Sequence, residues 1–252
     1  MPGRVALVTG ASSGMGRAAA AELCRRGARV MAVARREPLL AQLAEETGAS
    51  YLACSLETRD GCEQAVEATR SQLGPIEIIV NNAALGTAED GSVLDLEWDA
   101  WRRIMNLDLD VPFLLTKLAA ADMKRSGWGR IIMVSSTAGQ VGGPGMAAYC
   151  TAKHGLLGLM RATAADLASH GITCNAVLPG WVRTEMAERS AGRESARRGI
   201  PVEEVWSERA RSSPAGRIVT EAEVAATIAF LAAEEASGVN GQAVTVSLGS
   251  LW

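Results

Sequence analysis

The sequence predicts an α/β protein built on one doubly wound, seven-stranded parallel sheet with helices on both faces. Three observations carry this. Short β-rich runs alternate with segments of helical periodicity along the whole chain, the runs are apolar almost throughout, and a glycine-rich turn joins the first run to the first helical segment. A strand with one wet face alternates apolar and polar residues, so continuous apolarity implies cover on both sides. At 252 residues the chain is long enough to bury a large core as one domain, expected to span residues 1–252.

The elements follow in order. Arg4–Thr9 (RVALVT) is a strand that ends in glycine, and a helical pattern then runs from Gly14 to Arg26 and stops at Gly27. Further strands are expected at Arg29–Ala34 (RVMAVA), Ser50–Ser55 (SYLACS), Ile76–Asn81 (IEIIVN), Arg130–Ser135 (RIIMVS), Ile172–Leu178 (ITCNAVL) and Ala243–Ser247 (AVTVS). Helices are expected at about 36–47, 59–73, 97–126, 147–169 and 220–234. One stretch breaks the rhythm: residues 185–213 hold six Arg and six Glu and no strand signal. That charge balance suits a solvated helix pair, and its start at the carboxyl end of a strand, where open α/β sheets bind ligands, also suits a substrate lid.

Composition excludes several classes. With 48% hydrophobic residues, 21% charged residues and a net charge of -3, the chain carries no basic footprint for nucleic acid. No apolar run approaches the roughly 20 residues of a membrane span, and the first strand begins almost at once, which leaves no room for a signal peptide. A cytoplasmic protein without a membrane partner is expected. The five cysteines, Cys24, Cys54, Cys62, Cys150 and Cys174, show no metal-binding spacing, so no metal is expected and free thiols are.

In Thr9-Gly10-Ala11-Ser12-Ser13-Gly14-Met15-Gly16 each glycine has its own use. Gly10 permits a tight turn off the strand, Gly14 lets backbone approach a pyrophosphate, and Gly16 lets the helix pack closely on the sheet. The helix N-terminus offers free N–H groups to an anion, with Ser12, Ser13 and Met15 filling the turn. The second strand ends in Ala34-Arg35-Arg36, without the acid that would bind the ribose 2′-hydroxyl of NAD. Arginines there suit the extra phosphate of NADP, so NADP(H) is favoured over NAD(H), with Arg35 the better candidate and Arg36 beside it.

Tyr149 and Lys153 stand four residues apart in a helical stretch, so one turn presents a phenol beside an ammonium. A phenol has an unperturbed pKa of about 10, and a neighbouring cation pulls it toward the working range of an acid-base catalyst. The only other tyrosine, Tyr51, lies in a strand with no lysine nearby.

TGxxxGxG at 9–16, Asn81-Asn82-Ala83, Asn106, Ser136, Tyr149-Cys150-Thr151-Ala152-Lys153 and Pro179-Gly180, in this order, resemble the short-chain dehydrogenase/reductase family over nearly the whole chain. The resemblance implies a single Rossmann-type domain and a mostly homotetrameric assembly. It implies Tyr149 as acid in reduction and base in oxidation, while Lys153 lowers its pKa and holds the nicotinamide ribose. Ser136, thirteen residues before Tyr149, would hydrogen-bond the substrate oxygen, and Asn106 would anchor a water leading protons from Lys153 to solvent. Ser55 and Leu56 would lie at the adenine, Asn82 and Ala83 at its ribose, and Pro179, Gly180, Val182 and Thr184 at the carboxamide and pyrophosphate. The chain departs from the family at Ser55 (usually Asp), Ala84 (usually Gly) and Ser247-Leu248 (commonly Asp-Gly).

Gln140, Val141 and Met146 occupy the loop where the family's substrate side runs, and Trp181 and Trp206 could wall a pocket. His154 and Cys150 are rotated off the Tyr149 face and read as structural. Trp98 and Trp101 read as packing or subunit contacts, and Leu156, Leu159 and Ala164 as a second apolar helix face. The expected function is an NADP(H)-dependent interconversion of a ketone, such as a 3-oxoacyl group or a cyclic ketone, and a secondary alcohol. An NAD-dependent alcohol dehydrogenase working oxidatively is one alternative. A noncatalytic dinucleotide sensor or scaffold is another, against which the full Asn106, Ser136, Tyr149 and Lys153 set speaks.

Overall fold

In the computed structural model, residues 1–87 and 89–250 are described. Seven strands form one sheet in the order β3-β2-β1-β4-β5-β6-β7, every pair parallel. They are β1 (Val5–Thr9), β2 (Arg29–Ala34), β3 (Ser50–Ala53), β4 (Ile78–Asn81), β5 (Gly129–Val134), β6 (Ile172–Pro179) and β7 (Ala243–Val246). The order reverses between β1 and β4, and the crevice at such a switch point is where an open α/β sheet takes its ligand.

Burial of both faces explains the unbroken apolar strands. In β1, Ala6 and Val8 enter one core while Leu7 enters the other, and the same division separates Val30, Ala32 and Ala34 from Met31 and Val33 in β2. The first core is closed by α1 (Gly14–Arg25), α2 (Glu37–Thr47) and α9 (Glu221–Leu231). The second is closed by α3 (Arg59–Leu73), α5 (Val111–Ser126) and α6 (Ala147–Leu167). Each fully buried Leu, Ile or Met contributes about 1.5–3 kcal/mol. Local signals end the helices: Gly48 takes φ +75° after α2, and Thr220 with Glu223 forms a complete capping box before α9.

The sequence at 97–126 folds as α4 (Trp98–Met105) and α5, joined by a π-helical turn at Asn106–Asp110 in which the Val111 N–H bonds the Asn106 carbonyl. On the far side, the buried Asp122 accepts from Arg70, Arg125 and the Ile76 N–H, tying α3, α5 and the approach to β4 together. The 185–213 segment is a helix pair, α7 (Glu185–Arg198) and α8 (Val202–Arg211), closed around Ala191, Val205 and Trp206. Arg209 lies between two rings, 3.8 Å from Trp181 and 4.8 Å from Trp206, with Glu194 at 3.0 Å.

One expectation about surface is corrected. Leu156 and Ala164 turn into the chain's own second core, so they do not form an outward apolar face, and Leu159 is half-buried against the same core. Trp101 packs against Ala148 and Ala152, whereas Trp98 is 69% exposed.

Candidate active site

The turn after β1 passes so close to the end of β4 that only glycine fits. A Cβ on Gly16 would lie 2.4 Å from both Asn82 Nδ2 and the Gly10 carbonyl, and one on Gly10 would lie 2.8 Å from the same amide. Gly10 and Gly14 also take φ +66° and +59°, where side chains are strained. Thr9 locks the crossing, its hydroxyl accepting the N–H groups of Asn82 and Ala83 at 2.9 and 3.0 Å, while Asn82 donates back to the Thr9 carbonyl. No side chain caps the N-terminus of α1.

This turn floors a cavity of about 350 Å³ at the switch point. Gly10, Ser12, Ser13, Gly14, Met15 and Gly16 line one side, and Leu56, Asn82 and Ala83 another. A close backbone approach beside an uncapped helix end can take a pyrophosphate, and the residues present fit a dinucleotide in this respect. Arg35 and Arg36 both reach the cavity. Arg36, rather than the favoured Arg35, spans the glycine turn: its guanidinium bonds the Ser12 and Ser13 hydroxyls and pairs with Glu185 at 2.6 Å. Arg36 in turn holds the Glu185 carboxyl below its usual range. Arg35 is 66% exposed and pairs with Glu57 at 3.1 Å. Ser55 does not line the cavity; its hydroxyl turns to the Glu57 N–H, and Cys54 and Glu57 line it instead.

Tyr149 and Lys153 lie on α6 between this cavity and a second of about 710 Å³, Tyr149 lining both. The Lys153 ammonium is 3% exposed, donates to the Val134 carbonyl at 3.2 Å and sits 5.5 Å from the Tyr149 ring centre. Ser136 lines the larger cavity, while Ser135 is buried, bonds the Lys153 carbonyl and lines the smaller one. Burial pushes the Tyr149 phenol up; Lys153 and the Ser136 hydroxyl pull it down and Asp108 pushes it up again. Lys153 pulls downward as expected of a neighbouring cation, but the net direction is upward, because burial penalises a phenolate more than one lysine relieves it.

Asn106 is not turned to the lysine. Its amide donates to the Glu57 carbonyl at 2.8 Å, and Asp108, two residues on across the π turn, stands beside Lys153 instead. Asp108 is fully buried, accepts the Leu85 N–H at 2.8 Å and lies 3.5 Å from the Lys153 ammonium. Burial pushes its carboxyl up, with Lys153 opposing. The sequence held one signal for it: Ile104, Asp108, Val111 and Leu115 recur at helical spacing, so an acid interrupts an apolar face.

The larger cavity is lined by Met146, Gly180, Trp181 and Val182 of the expected residues, together with Met186 and Arg209. Thr184 lines both cavities and caps α7, accepting the Ala187 N–H. Pro179 is a buried end of β6, paired with Val246. Three expected lining residues fall away. Trp206 is 3% exposed inside the α7-α8 contact and donates to Glu188, and neither Gln140 nor Val141 lines either cavity. Among the described residues no cluster could hold a metal ion, and no helix is long and apolar enough to cross a membrane.

Comparison with known proteins agrees with this geometry. A family model described as enoyl-(acyl carrier protein) reductase matches residues 10–250. The 3-oxoacyl-[acyl-carrier-protein] reductase of Salmonella typhimurium is 36% identical over 249 residues, covering 98% of this chain and 97% of that protein. The D-beta-hydroxybutyrate dehydrogenase of Cupriavidus necator is 34% identical, covering 95% and 94%. Among solved structures, a variant of the actinorhodin polyketide ketoreductase with NADPH superposes with a TM-score of 0.93 at 35% identity, over 98% of this chain and 96% of that one.

Proposed function

The chain belongs to the short-chain dehydrogenase/reductase family, an oxidoreductase family acting on CH-OH groups, and from that premise we propose that it is an NADP(H)-dependent reductase of ketones. The observation that carries the reading is Tyr149 at the junction of the two cavities, with Ser136 on one side and Lys153 on the other. Arg35 and Arg36 on the smaller cavity, with no acid at the end of β2, support the phosphorylated cofactor, as does the NADPH of the ketoreductase neighbour.

The nicotinamide, when bound, supplies hydride to the carbonyl carbon. The chain does the rest. Ser136 and Tyr149 donate hydrogen bonds to the carbonyl oxygen as charge gathers there, and Tyr149 gives up its proton. Lys153, held by Val134 and Asp108, keeps a positive charge beside the phenol at that moment. Trp181, Met146 and Met186 offer apolar walls to the substrate. The α7-α8 pair borders this cavity through Met186, Ala187 and Arg209, which supports its reading as a lid. The substrate class is a 3-oxoacyl thioester or a cyclic ketone, both within a volume of about 710 Å³. The family resemblance is the support for a homotetramer paired through its long helices and C-terminal strands, and free cysteines are in keeping with a cytoplasmic location.

The test is NADPH consumption followed by absorbance against a panel of 3-oxoacyl thioesters and cyclic ketones, with the matching alcohols and NAD or NADP in reverse. Reduction of one class with NADPH supports the reading. Turnover only of alcohols with NAD would replace it by the oxidative alternative, and no turnover with Tyr149 intact would return the noncatalytic one.

A further inference from the structure

Asp108 is buried and takes no direct part in the proton and hydride transfers just described, yet it stands 3.5 Å from the lysine on which they depend. Its two oxygens have different partners. Oδ1 accepts the Leu85 N–H at 2.8 Å and thereby pins the loop after β4. Oδ2 faces the Lys153 ammonium at 3.5 Å, long for a hydrogen bond and close for an ion pair. A carboxylate needing only a structural acceptor for Leu85 would not require the second oxygen aimed at a cation in the protein interior, where an unpaired polar atom is costly.

We infer that Asp108 is a positioning residue that acts through Lys153 to set the pH at which Tyr149 exchanges its proton. The charge balance of the buried cluster gives the direction. With Asp108 ionised and Lys153 protonated, the pair is neutral, and a Tyr149 phenolate at the junction of the two cavities would add a net negative charge beside the buried Asp108. With a neutral side chain at 108, the same phenolate would neutralise Lys153 and be favoured. Asp108 therefore holds Tyr149 in its phenol form to higher pH, the form that donates a proton in reduction. The inference rests on the proposed function for its consequence in catalysis, and on the coordinates alone for the titration itself.

Other groups facing the pair are few. From its own helix Tyr149 meets Lys153 and Cys150; from the end of β5 it meets Ser136, and Lys153 meets the Val134 carbonyl. Asp90, in the loop after β4, accepts the Ala148 and Tyr149 N–H groups at the start of α6 at 3.1 and 2.8 Å. The Asp108–Lys153 contact is the feature that a single neutral substitution removes.

The chain has two tyrosines, so Tyr51→Phe leaves Tyr149 as the sole phenol. Its ionisation is then read directly from the ultraviolet absorbance of phenolate in the cofactor-free protein, with circular dichroism recording the fold at each pH. Asp108→Asn in this background keeps an acceptor for Leu85 and is expected to lower the midpoint by about one pH unit or more, a tenfold change in the ionisation constant. Asp108→Ser, smaller and also neutral, should move it the same way and serves if the asparagine variant does not fold. Midpoints within about 0.3 unit of the parent in a folded variant, or a shift upward, would overturn the inference. Failure to reduce any ketone would count against the proposed reaction and leave this titration unaffected, so the two can fail separately.

Discussion

Arg36→Ala probes the step from geometry to cofactor choice. In the free protein the Arg36 guanidinium is held by Glu185 at 2.6 Å and by Ser12 Oγ at 3.2 and 3.3 Å. The two charged side chains are 43% and 51% exposed. A pair so exposed to water is worth under about 1 kcal/mol. A 2′-phosphate meeting the same guanidinium makes charge-assisted hydrogen bonds of about 1.5–3 kcal/mol. The difference, roughly 1–2 kcal/mol, corresponds to a rise in the NADPH dissociation constant of about 5- to 30-fold on truncation. NADH lacks the phosphate and should move by less than about twofold, so the NADPH preference itself shrinks. The assay is nicotinamide fluorescence titration with each cofactor at low and high salt, and the NADPH effect should weaken with salt. Glu185→Gln is the counterpart, removing a competing carboxylate and tightening NADPH by up to about fivefold. Equal weakening of both cofactors would mean that Arg36 only braces the Ser12-Ser13 turn. An effect confined to Arg35→Ala would move phosphate recognition to the residue that the sequence favoured.

Tyr149→Phe should lower the rate of ketone reduction by about 10²-fold or more while leaving the NADPH dissociation constant within about threefold, read by steady-state kinetics and fluorescence titration. Gly16→Ala places a methyl 2.4 Å from Asn82 Nδ2 and the Gly10 carbonyl. It should cost about 1–3 kcal/mol in urea unfolding and weaken both cofactors together. Burial works against the Asp122 carboxylate, but Arg70, the Ile76 N–H and Arg125 outweigh it and hold its pKa below the usual range. Its stabilisation is therefore complete above the unfolded value of about 3.9 and fades as pH falls through the lower folded value. Asp122→Asn should be about 2 kcal/mol less stable near pH 7, and the gap between parent and variant urea midpoints should begin to close as pH falls below about 4 and shrink further through the lower folded value. A gap that persisted in acid would assign the loss to packing instead of charge.

The fold was legible from the chain because its signals are local. Apolarity on both faces of Val5–Thr9 or Ile78–Asn81 requires cover on both sides wherever the strand lies, and the Gly10, Gly14 and Gly16 spacing describes a turn that works by its own backbone. Tyr149 and Lys153 were legible for the same reason, since four residues on one helix determine their neighbourhood. What neighbours Lys153 from outside its helix was not. The reading carried one helical period through 97–126, whereas the chain inserts a π turn at Asn106–Asp110, and the side chain beside Lys153 is that of Asp108. Trp206 reads as a pocket wall until α7 closes on α8, and Arg35 reads as the better phosphate candidate until Arg36 is seen to reach Ser12, Ser13 and Glu185. Sequence determined the elements and the chemistry within each, because those depend on spacing along one backbone. Only the tertiary structure decided which charge meets which across elements, because those distances are set by how separate segments pack.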